Sequence, residues 1–170
     1  MTIKAIETAY KGYRFRSRLE ARWAVYFDVA GIQWEYEKEG YNLPGMGLYL
    51  PDFWLSGLSL WCEVKPGEFT TTERDKCRAL ELITKRDCIM LEGIPQARYY
   101  YTPEGHAFGL WPYKDYIWSS QILGWGMGRE EPFLMWPDRE REFIDMGWLI
   151  VGEEALVAAR SARFEHGETP

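Results

Sequence analysis

The sequence predicts one α/β domain: a helix, three strands, a second helix and a further strand, in the order αβββαβ. Three observations carry this expectation. Apolar residues recur at helical spacing before residue 31, strand-like runs follow, and capping signals reopen a helix near residue 70. A chain of 170 residues with 46% hydrophobic content is long enough to bury one core.

Residues 17–30 (SRLEARWAVYFDVA) set Leu19, Trp23, Tyr26, Phe27 and Ala30 on one face and stop at Gly31, a good residue just past a helix end. Residues 32–38 (IQWEYEK) alternate as a strand, and NLPGMG is turn-rich. Residues 48–55 (LYLPDFWL) predict a second strand, Ser56-Gly57 a turn, and residues 58–65 (LSLWCEVK) a third strand ended by Pro66-Gly67. Thr70 or Thr71 caps a helix over roughly residues 72–85, with Leu80, Leu82 and Ile83 towards a core, and residues 87–92 predict a buried strand. Residues 98–102 and 106–111 suggest a hairpin around Pro103-Glu104-Gly105. Residues 111–137 are expected to be irregular, and 138–146 and 152–164 to be helical. No repeat or low-complexity linker divides the chain, so residues 1–170 are expected to form a single domain.

Composition excludes several classes. No apolar run approaches the roughly 18 residues of a membrane span. The opening MTIKAIETAYKGYRFR lacks an apolar h-region, so no secretory signal is expected. Cys62, Cys77 and Cys88 are odd in number and lack CxxC spacing, which argues against a disulfide framework and a zinc site and for a reducing, cytoplasmic setting. The two histidines, His106 and His166, supply poorly any histidine-based site. The net charge of −6 conceals a local +4 over residues 1–22, which leaves −10 on the remainder. A basic segment on an acidic body can still grip phosphates, although a solvated helix start explains it equally.

The acids carry the chemistry. Asp52 falls on the second expected strand and Glu63 on the third, so a hairpin can bring them together. Glu63 and Lys65 are two apart on one strand and share a face. Two carboxylates and an ammonium on one sheet face are costly without a partner, and a divalent cation would relieve the repulsion. Hard oxygen ligands suit Mg²⁺ or Mn²⁺. Phosphodiester hydrolysis needs this set: a metal to neutralise charge and acidify a water, and a lysine to orient or deprotonate it.

Leu50-Pro51-Asp52-Phe53 followed by Glu63-Val64-Lys65, with Arg18-Leu19-Glu20-Ala21 on an upstream helix, resembles the PD-(D/E)xK nuclease superfamily, and in particular its small phage and prophage members. The resemblance covers about residues 13–92 and leaves residues 93–170 as a Trp-rich C-terminal extension. It implies a restriction-endonuclease-like core with a central mixed sheet flanked by helices. It also implies Mg²⁺-dependent cleavage of DNA, as a structure-selective endonuclease of phage or prophage DNA metabolism in a bacterial host cytoplasm. Asp52, Glu63 and Lys65 would be catalytic, with Glu20 completing a metal site of Asp52, Glu63 and Glu20. A homodimer would suit cutting two strands. The rival expectation is a non-catalytic protein that keeps the fold and binds nucleic acid or a host protein.

Plainer readings stand beside these. Asp52 after Pro51 can be a turn residue, and Glu63 and Lys65 a solvated pair. Ser17-x-x-Glu20 is a capping box, so Glu20 is equally a cap or a ligand. Arg14, Arg16 and Arg18 can clamp phosphates or simply start a helix. Lys76 and Arg78 are phosphate candidates on what is more simply a solvated face. Trp111, Trp118, Trp125 and Trp136 can stack on unpaired bases or fill a satellite core.

Overall fold

Lys11 and Gly12 both take positive φ, at 47° and 82°. Two such residues close the tightest hairpin turn, whose twist matches that of its strands. They join β1 (Thr8–Tyr10) to antiparallel β2 (Tyr13–Phe15), a hairpin that the sequence expectation did not include. The structure is a computed structural model and describes residues 6–96, 98–104, 107–110, 133–134, 144–145 and 153–164.

Ser17 then caps α1 (Arg18–Val29), its hydroxyl accepting the Glu20 N–H at 3.2 Å. The helix ends where Gly31 takes φ +70°, as expected. β3 (Trp34–Tyr36) follows. The expected strand 48–55 is in fact split. Its first part, β5 (Gly47–Tyr49), pairs with β4 (Tyr41–Leu43) in a separate hairpin through the turn-rich NLPGMG stretch. Its second part, β6 (Phe53–Leu55), joins the main sheet. Pro51 has no N–H to give a ladder, so the break falls there. Asp52 therefore precedes a strand rather than lying on one.

β7 (Leu60–Lys65) pairs antiparallel with β6. α2 (Thr71–Thr84) is capped by Thr70 in a full capping box with Glu73, and β8 (Cys88–Glu92) returns parallel to β7. β9 (Arg98–Tyr101) and β10 (Ala107–Leu110) form the expected hairpin. The result is a mixed six-stranded sheet in the order β10-β9-β8-β7-β6-β3.

Farther on, β11 (Phe133–Leu134) pairs with β12 (Ile144–Asp145), and α3 (Glu153–Ser161) supplies the last expected helix. β12 replaces part of the helix expected at 138–146. The β-branched Ile144 meets Leu134 ten positions earlier across a ladder, a pairing that local periodicity does not reveal. The rest of 138–146, with Trp111, Trp118, Trp125, Trp136, His106 and His166, lies outside the described residues.

Two cores flank the sheet. On one face Phe53, Leu55, Cys62, Val64, Ile89 and Leu91 pack with α1 and α3 around the fully buried Trp23, Tyr26 and Phe27. On the other, Trp61, Cys88 and Met90 pack with Cys77 and Leu80 of α2 and Leu43 of β4. Leu82 and Ile83, expected in the core, are exposed. Among the described residues no helix is long and apolar enough to cross a membrane.

Candidate active site

The ladder between β6 and β7 ends at the pair Phe53–Cys62, and Asp52 and Glu63 are the next residues out. Asp52 continues the pairing by other means. Its carbonyl accepts the Glu37 N–H at 2.9 Å on the β3 side. Its carboxylate Oδ2 accepts the Val64 N–H of β7 at 2.8 Å. A side chain thus takes a backbone donor that no strand partner meets.

The remaining oxygen, Oδ1, receives the Arg16 guanidinium at 3.3 Å, and the same Nη2 lies 2.5 Å from Glu37 Oε1. Glu63 is bound at both ends: Lys65 Nζ lies 2.6 Å from Oε1 and the Tyr49 hydroxyl donates to Oε2 at 2.8 Å. Glu63 and Lys65 share one face of β7, as the strand period requires. Asp52 is 4% exposed and Glu63 6%, so neither is a solvated surface acid.

Glu20, 8% exposed, stands at the start of α1. Its carboxylate accepts from the Ser17 hydroxyl at 2.7 Å, the Arg16 N–H at 3.1 Å and the Tyr36 hydroxyl at 2.5 Å. Ser17 therefore caps α1, but the reciprocal bond of a full capping box is not made: Glu20 takes the Arg16 N–H instead of the Ser17 N–H. The Glu20 charge still reaches Asp52. Burial first, then the charges of Glu63 and Glu20, push the Asp52 carboxyl well above the ordinary carboxylate range, against the Val64 N–H and Lys65. Burial alone would lower the Lys65 ammonium, but the charge and hydrogen bond of Glu63, with Asp52, raise it. Paired with Glu63, Lys65 holds its proton. Burial, then nearby Cys88 and Glu63, raise the Tyr49 phenol, so it too remains a donor.

The other expected residues are dispersed. Arg14 pairs with Glu7 at 2.6 Å on the solvent-facing side of the first hairpin. Arg18 lines a cleft with Arg22 and Arg163. Lys76 is half-buried on α2; burial raises the Glu73 carboxyl, but the Thr70 hydrogen bonds and the charges of Lys65 and Lys76 outweigh it and hold Glu73 below the ordinary range. Arg78 is engaged by Glu104 at 2.6 Å and Asp75 at 3.3 Å. Tyr36, Glu37 and Tyr49 were not anticipated. Tyr49 is reachable only because the chain breaks at Pro51, and Glu37 because it takes φ +47° at the end of β3.

Among the described residues no three His, Cys, Asp or Glu side chains gather into a complete metal cage. Asp52 and Glu63 nonetheless form a pair of buried hard oxygen donors, held for now by the cations Arg16 and Lys65. That set suits a Mg²⁺ ion, which binds through one or two carboxylates and keeps several waters. No family model, curated protein or solved structure matches the chain.

Proposed function

We propose that the chain is a Mg²⁺- or Mn²⁺-dependent nuclease of the PD-(D/E)xK type, hydrolysing phosphodiester bonds in DNA. The observation that carries this reading is the meeting of Asp52, Glu63 and Lys65 at the open end of the β6–β7 ladder. The run α1, β3, β6, β7, α2, β8, an antiparallel meander followed by a parallel return, supports a restriction-endonuclease-like core. Structure-selective endonuclease action in phage DNA metabolism rests on the sequence resemblance.

Asp52 and Glu63 would hold the cation, with Glu20 adding charge from behind the helix cap. The cation, when bound, would neutralise charge on the phosphate and lower the pKa of a water it carries. Lys65, released from Glu63, would point its ammonium at the oxygen that gains charge. Arg16, displaced from Asp52, would face the phosphate instead. The test is Mg²⁺-dependent cleavage of duplex, single-stranded, flap and junction DNA, with Asp52→Ala and Lys65→Ala as controls. Cleavage that survives both substitutions sinks the assignment.

One observation favours the rival binding protein: every oxygen of Asp52 and Glu63 already has a protein partner. A Mn²⁺ titration separates the two. Binding that disappears in Asp52→Ala supports the nuclease, and none at millimolar metal supports the rival.

A further inference from the structure

Each acid of the site is held by one neutral donor and one cation. Asp52 takes the Val64 N–H on Oδ2 and Arg16 on Oδ1; Glu63 takes the Tyr49 hydroxyl on Oε2 and Lys65 on Oε1. The neutral donors orient the carboxylates, and the two cations supply the counter-charge that buried acids need. Lys65 shares a strand with Glu63. Arg16 comes instead from the short segment between β2 and α1, so its arrival at Asp52 needs its own explanation.

The backbone of Arg16 is fixed. Its N–H is shared between Glu20 Oε2 and the Tyr36 hydroxyl, both at 3.1 Å. Its side chain is 57% exposed, whereas that of Asp52 is 5% exposed. Of the two partners, the arginine is the one with room to move.

The grip is also lopsided. One nitrogen, Nη2, lies 2.5 Å from Glu37 Oε1 and 3.3 Å from Asp52 Oδ1. Charge-assisted bonds of this kind cluster at about 2.7–2.9 Å, so the pair with Glu37 is tight and the contact with Asp52 is loose. Glu37 reaches this place at φ +47°, a left-handed conformation that residues other than glycine seldom take, while its N–H donates to the Asp52 carbonyl at 2.9 Å. The backbone of Glu37 is thus tied to Asp52, and its carboxylate to the cation on Asp52.

We propose that Glu37 is a positioning residue that acts through Arg16: it retains the guanidinium at the site when Asp52 Oδ1 is given up to a metal ion, and so presents Arg16 to the phosphate. The proposal rests on the nuclease reading for its metal and its substrate. Its signature is competition, because Arg16 and the ion seek the same oxygen.

Mn²⁺ binding to the full chain without DNA, read by calorimetry, tests that competition. Arg16→Gln should tighten Mn²⁺ binding about 3-fold, the scale of one part-exposed ion pair. Glu37→Gln leaves Arg16 with Asp52 alone and should weaken binding about 10-fold. The double variant should return to the affinity of Arg16→Gln, since Glu37 acts only through Arg16. Arg14→Gln, the same loss of charge on the solvent-facing side of the first hairpin, should change nothing. Little-changed melting temperatures in EDTA verify the fold. With labelled duplex DNA at saturating Mn²⁺, Arg16→Gln should raise KM about 3- to 10-fold and nearly keep kcat. Affinity in EDTA, where Arg16 stays with its two acids, should hardly change.

A double variant as weak as Glu37→Gln would give Glu37 a direct effect on the metal and overturn the proposal. Mn²⁺ binding no tighter in Arg16→Gln than in Arg14→Gln overturns it too, even where Asp52-dependent cleavage is intact. Tighter Mn²⁺ binding in Arg16→Gln, in a chain that cleaves no DNA, upholds the exchange and removes the nuclease reading instead.

Discussion

The Tyr49 hydroxyl donates to Glu63 Oε2 at 2.8 Å while Cys77 Sγ lies 3.7 Å behind it, so a residue outside the main sheet fixes the carboxylate within it. Tyr49→Phe removes the donor and keeps the ring. Partners of metal-ligating groups are worth about 10- to 100-fold in affinity or activity. The expected outcome is Mn²⁺ affinity reduced about 10-fold by calorimetry, with the melting temperature nearly unchanged. Full affinity in Tyr49→Phe would show that Lys65 alone orients Glu63.

Asp52→Asn should stabilise the metal-free protein and abolish cleavage. The folded-state carboxyl is raised, so its contribution to stability is complete below the unfolded value of about 3.9 and is lost as pH rises through the raised value. Removing the charge should gain on the order of 1 kcal/mol at pH 7 in EDTA, or about 2–4 °C in melting temperature for a domain of this size. The gap should close towards acid pH. A wild type more stable than Asp52→Asn at every pH would show that Arg16 and Lys65 compensate the charge in full.

Lys65 divides into charge and reach. Lys65→Met should lower kcat by about 100-fold, the scale of one donor aimed at developing charge. Lys65→Arg should recover part of that loss, since the guanidinium keeps the charge. A single-turnover assay at saturating Mg²⁺ reads this directly. Equal activity in Lys65→Met and the wild type would remove Lys65 from the reaction.

Glu81, on α2, gives a pH dependence unrelated to the acids of the site. Burial, with the charges of Asp87 and Glu104, raises its carboxyl to about 7, against the hydrogen bond from the Cys88 N–H at 2.9 Å and the charge of Arg78. Its contribution to stability is complete below about 4.3 and is lost as pH rises through about 7. Glu81→Gln keeps an oxygen for Cys88 and loses the charge. It should be about 1 kcal/mol more stable than the wild type above pH 7, with no difference below about pH 4. Parallel melting curves across that range would contradict the shift.

Glu63 and Lys65 were legible because the strand period fixes their geometry within three residues, whereas Asp52, expected on a strand, lies just before one and reaches β7 through its side chain. Ser17 was equally legible as a cap, since the signal lies wholly within one turn. Arg16 was named for phosphates, yet it reaches Asp52, 36 residues away, because the unforeseen β1–β2 hairpin and the helix cap set where it points. The hairpin signal, Lys11-Gly12 between Tyr10 and Tyr13, is two residues long and lies in a segment dominated by positive charge. The strand expected at 48–55 failed because apolar content ran on through Pro51, whose missing N–H counted for more than hydrophobicity. Tyr49 and Glu37 depend on backbone breaks and positive φ, which single-residue patterns do not encode.

Asp52 completes a ladder with its side chain, and the consequence is one of timing. A carboxylate that must also stitch β7 in place is immobilised as the sheet forms. On the proposed reading, an arriving cation would meet an oxygen whose rotamer has already been chosen, so little conformational entropy would remain to be lost on capture. Folding and ligand preorganisation become one event at this residue.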